Sequence, residues 1–145
     1  MPGLTFSSAD VPPTARPSGH PPSRRAVVAG RIVSGLGVAF LAFDAAGKLL
    51  QLEPAVKGTL ELGYPAHLLW GIGLLQTLLL VTYLVPRTQV LGAVLWTGYL
   101  GGAVATHVRV ENPLFSHVLF PIYVAALLWG GLYLRDRRVR ALVRA

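Results

Sequence analysis

The sequence predicts an all-α polytopic membrane protein, a four-transmembrane-helix bundle with both termini in the cytoplasm. Three observations predict it. Hydrophobic residues make up 53% of the 145 and charged residues only 13%, against roughly 25% charged in ordinary soluble domains. The charges gather at the ends of the chain and at the edges of its apolar runs. Four such runs follow one another, three of them near the ~20 residues that a helix needs to cross a bilayer.

Residues 1–25 read as a disordered, proline-rich cytoplasmic tail. Six of the 11 prolines lie there, and the apolar content is too broken to offset the entropy of ordering. No apolar run precedes Arg24, so no cleavable leader is expected, and Ser23-Arg24-Arg25 is read as a topology signal.

The membrane domain is expected over residues 26–136, with spans at about 30–50, 68–85, 89–108 and 114–134. The last three are continuously apolar. A spanning segment must satisfy its backbone internally, as a helix or a closed barrel. A barrel strand would alternate polar and apolar positions, so these runs predict helices. The first span needs more argument, because extending it to residue 50 takes in Asp44 and Lys48. These lie four residues apart on one helix face, acid before base, the better orientation for a pair. Mutual neutralisation lowers the insertion penalty. The alternative is an interfacial helix, leaving three spans.

Between the first two spans, Pro54 can begin a short helix and Gly63 can end it, giving a lid or interfacial segment. Residues 137–145 form a basic cytoplasmic tail. With four spans, ten of the 13 basic residues fall on one side and Lys48, Lys57 and Arg109 on the other. The positive-inside rule then places both termini in the cytoplasm. The +7 net charge flanks apolar runs, which suits anionic headgroups and not nucleic acid. With no cysteine, disulfides and thiol chemistry are excluded.

Five polar residues are the expected ligand-binding site. Asp44 and Lys48 near the end of the first span, His107 and Arg109 at the end of the third, and His117 in the fourth all fall toward the outer side. Gly30 and Gly37 precede Asp44 by seven-residue steps, which puts the charged face against other helices. Pro121 removes a helical hydrogen bond near His117, a way to line a cavity. Gly98-x-x-x-Gly102 with Ala105 is expected to be a close-packing face. The tryptophans and tyrosines near span ends are expected to be interfacial anchors. Neither histidines nor acids show a metal-ligand spacing, and no covalent cofactor motif is present.

Several segments together resemble the DoxX-like family of small bacterial membrane proteins, over residues 30–142. They are Phe43-Asp44-Ala45-Ala46-Gly47-Lys48-Leu49, Glu61-Leu62-Gly63-Tyr64-Pro65, the run from Thr97-Gly98-Tyr99 to Thr106-His107-Val108-Arg109, Pro113-Leu114-Phe115, and Trp129-Gly130-Gly131-Leu132. The resemblance implies a four-helix bundle in the bacterial inner membrane. The family takes its name from a membrane subunit of a thiosulfate:quinone oxidoreductase, which implies quinone as a ligand and a membrane redox complex as a partner, beside the bilayer itself or a second copy of the chain. It carries no enzyme activity over to these residues. The reading is therefore an accessory or headgroup-binding bundle, not an enzyme by itself. The alternatives are a small proton-coupled transporter using Asp44, which the Lys48 ammonium one turn away disfavours, and a purely structural membrane partner.

Overall fold

The computed structural model describes residues 23–144; the expected tail lies outside the described residues except for Ser23, Arg24 and Arg25. Those three start the first helix, α1 (Arg24–Leu49), whose N-cap Ser23 accepts a hydrogen bond from the Ala26 amide at 3.2 Å. There follow α2 (Glu53–Glu61), a 3₁₀ turn (Ala66–Leu68) leading into α3 (Leu69–Leu84), α4 (Gln89–Arg109), a π-type turn (Leu114–Val118), α5 (Phe120–Arg135) and α6 (Arg137–Arg144). The basic segment after residue 136 is thus helical up to Arg144.

The protein is an all-α polytopic membrane protein. Among the described residues, three helical stretches are long and apolar enough to cross a bilayer: α1, α3 with its 3₁₀ turn, and α5 with its π-type turn. Helix α4 has 21 residues, about 31 Å at 1.5 Å per residue, but its glycines, threonines, Tyr99 and His107 dilute its hydropathy. The surface supports the membrane assignment. Phe43 is 74% exposed and Leu36 61%, and a belt of comparable leucines and valines circles the bundle, which water would penalise and lipid does not.

The four long helices form a ring in the order α1, α3, α4, α5, each touching its two neighbours, with α1 and α4 diagonal to one another. Helices alternate in direction, so the ring has two distinct ends. The arginine end holds the start of α1, the Pro86-Arg87-Thr88 turn, the end of α5 and α6. The cavity end holds the end of α1, α2, the start of α3, the end of α4 and the π-type turn.

Small residues bring the helices together at the arginine end. Gly30 and Gly131 face each other across α1 and α5; a Cβ on Gly30 would stand 2.7 Å from the Gly131 carbonyl oxygen. A Cβ on Gly92 of α4 would stand 2.5 Å from Tyr83 backbone on α3. Ser34 Oγ is 3.0 Å from Tyr83 Oη, which donates to the Leu128 carbonyl at 3.0 Å. This buried chain of bonds links α1, α3 and α5. Tyr83, expected as an interfacial anchor from its place near a span end, is instead fully buried, as is the mid-span Trp96, in the core with Leu41, Leu128 and Leu132. The end of α5 is capped by Arg140 of α6, which donates to the carbonyls of Tyr133 (2.8 Å) and Leu134. Val139 anchors α6 against the core.

Candidate functional site

At the cavity end the helices separate and enclose about 690 Å³. The local sequence explains the separation. Pro121 lies in the first turn of α5, where its missing N–H costs little. It cannot continue a helix backward, so the stretch expected as one span breaks at Leu119 between the π-type turn and α5. On α4, Gly98 and Gly102 line the cavity and a Cβ on either meets nothing within 4 Å. The expected close-packing face is therefore a face that packs on nothing: the missing side chains are part of the empty volume. The motif specifies small residues but not which helix, if any, approaches them.

Four of the five expected site residues line this space: Asp44, Lys48, His107 and His117. Lys48 Nζ donates to Asp44 Oδ2 at 2.5 Å, and Gln76 Nε2 donates to the same oxygen at 2.6 Å. The pair is part-buried, with Lys48 14% and Asp44 34% exposed. Opposite, the imidazoles of His107 and His117 meet edge to face with centroids 5.8 Å apart. Asn112 Nδ2 lies 2.9 Å from His107 Nδ1; an amide nitrogen can only donate, so His107 accepts there and carries its proton on Nε2. Ser116 Oγ lies 2.8 Å from His117 Nδ1.

Arg109 is not in the cavity wall, which corrects the expected five-residue cluster. It ends α4 and caps α2 instead, its Nη2 donating to the Leu62 carbonyl at 2.6 Å. That carbonyl ends α2 and leaves a free acceptor for the nearest cation. Gly63 follows with φ +79°, and a Cβ there would also press within 3.1 Å of the guanidinium. Together with a 2.9 Å bond between Tyr64 Oη and Thr106 Oγ1, Arg109 fastens α2 across the mouth, where Ala55, Gly58 and Thr59 form the roof.

Sequence reasoning did not single out Gln76, although a lone amide in an otherwise apolar run is the kind of residue that faces the interior of a bundle. It also did not single out the pair Phe40 and Phe120, which stack edge to face at 4.9 Å. Both line the cavity and are 40% exposed. Chemically, the space combines an acid–base–amide cluster, two imidazoles and an aromatic wall. Among the described residues no three His, Asp or Glu side chains come together as a metal site.

The sequence pattern of the DoxX-like family matches residues 32–131, well over half of the chain, and includes every residue of the cluster. No curated protein and no solved structure matches the chain. The chain belongs to the DoxX-like family.

Proposed function

We propose that this DoxX-like protein is a four-span bundle of the bacterial inner membrane, with both termini cytoplasmic, that binds the polar headgroup of a membrane-borne molecule, a lipid or a quinone, in its outer half. The observation that carries the reading is the cavity itself: about 690 Å³, within the usual range for small-molecule sites, with polar groups converging from α1, α3, α4 and the π-type turn. The exposed Phe40–Phe120 pair supports entry from the bilayer, because it places an aromatic seam between the cavity and the acyl region. Helix α4 supports the four-span count through its length, and the crowding of arginines at one end supports the orientation. Reporter fusions after Arg25, Gly63, Arg87 and Glu111 should alternate between cytoplasm and exterior, and a cytoplasmic signal after Gly63 would overturn the orientation.

Binding is tested by purifying the chain in mild detergent and identifying retained lipids and quinones by mass spectrometry. The wild type should retain a bound species that His107→Ala/His117→Ala loses. Equal retention by both would place that species outside the cavity and defeat the reading. In this role the protein is an accessory element that holds a molecule for a membrane redox complex. A proton-coupled transporter built on Asp44 fits less well, since Oδ2 of that carboxylate already accepts from Lys48 and Gln76.

A further inference from the structure

Gln76 is 1% exposed, yet it lines the cavity. Its Oε1 is buried without a hydrogen-bond partner among the described residues. The amide cannot turn over to cure this. Nε2 is held by Asp44 Oδ2, and a flip would set a carbonyl oxygen against a carboxylate. Gln76 therefore offers a fixed acceptor and lacks a donor, a state that buried polar groups seldom keep. Asp44 adds a second acceptor, because both side-chain bonds it receives fall on Oδ2, leaving Oδ1. A cation is not the natural complement, since Lys48 already balances the carboxylate. A group with only carbonyl oxygens would place acceptor against acceptor.

We infer that the cavity selects a neutral hydroxyl donor, whose O–H donates to Gln76 Oε1, with Asp44 Oδ1 as the alternative acceptor beside it. This is the chemistry shared by a hydroquinone or other phenol and by a polyol lipid headgroup. The inference rests on the proposed binding role of the cavity and adds to it a preference: the hydroxylated form of a ligand over its ether or its quinone. The histidine pair lines the cavity on the opposite wall.

The test uses the full chain in lipid nanodiscs and two probes, 4-hexylphenol and 4-hexylanisole, which differ by methylation of the one hydroxyl. Binding is read by tryptophan fluorescence and corrected for lipid partitioning. The phenol should bind about tenfold more tightly than the anisole, the effect of one hydrogen bond to a buried or charged acceptor. Gln76→Met, of similar length but without the acceptor, should cut that ratio to below about threefold, because Asp44 Oδ1 then acts alone. Equal affinity of the two probes for the wild type overturns the hydroxyl preference while leaving the cavity reading in place. A tenfold ratio that survives in Gln76→Met overturns the assignment to Gln76. Failure of both probes to bind overturns the cavity reading and this inference with it. Displacement of the phenol by trimethylhydroquinone but not by phosphatidylglycerol would identify a quinol as the source of the hydroxyl, and the reverse a polyol headgroup; either upholds the donor preference.

Discussion

A Cβ added to Gly131 at the arginine end would collide with Ser34 Oγ and stand 2.7 Å from the Gly30 carbonyl oxygen, whereas one added to Gly98 or Gly102 at the cavity end meets nothing within 4 Å. The same residue type thus serves opposite purposes in the two halves. At the arginine end glycine lets backbones touch, and Ser34 and Tyr83 bond one another and the Leu128 carbonyl, although Arg135 Nε is buried there without a partner. At the cavity end Gly98 and Gly102 leave room beside α4, while Gly73 still lets α3 close on Lys48 and Leu49 of α1, and Gln76 Oε1 is left over. A membrane bundle gains little from apolar burial between helices, because lipid is as apolar as leucine. Close backbone contact at the arginine end, and between α1 and α3 at Gly73, therefore has to hold the helices while α4 stands back around the cavity.

The largest test of this contrast is Gly131→Ala, which should lower stability by about 2–3 kcal/mol, the typical cost of overpacking a tight contact, as measured by denaturant titration in detergent. If the loss is negligible, the arginine end is not the clamp. Asp44→Ala comes next. It leaves Lys48 and Gln76 without their shared acceptor, and a loss of about 2 kcal/mol is expected for a pair that is only part-buried. Replacing both charges, as Asp44→Asn with Lys48→Met, should recover part of that loss; strictly additive losses would mean that the two side chains do not act together. Tyr83→Phe removes the bonds to Ser34 and Leu128 while keeping the ring, and should cost about 1–2 kcal/mol in the same titration. The smallest effect is at Gly98→Ala. Its stability should be unchanged or up to about 1 kcal/mol higher, since alanine favours helix over glycine, while ligand binding weakens as the cavity narrows. A Gly98→Ala protein as damaged as Gly131→Ala would erase the distinction between the halves.

Much of this was legible in the sequence, for physical reasons that also explain the misses. The apolar runs predict the long helices because in lipid the backbone has few other solutions. The Asp44–Lys48 bond follows from a spacing within one helix, and local spacing is what a sequence shows most directly. The convergence of His107 and His117 follows from connectivity, since only a short loop joins α4 to the π-type turn. Arg109 was misplaced because its partner is a carbonyl at the end of α2, and no side-chain pattern marks a free backbone acceptor. Gly98 and Gly102 were misread because a stripe of small residues permits approach without compelling it. Gln76 was passed over because its importance depends on α3 lying beside Asp44, a contact 32 residues away.

The ring order also bears on how the chain is made. Among the long helices the neighbours of α1 are α3 and α5, so during synthesis α1 touches neither until they follow, and its contact with α5 closes last. During that interval its acid has only the partner carried one turn along the same helix. The Asp44–Lys48 pair is therefore complete at the moment of insertion, before Gln76 exists to join it. Seen this way, the lysine acts as a travelling counter-ion that escorts a carboxylate into the bilayer and remains with it after assembly.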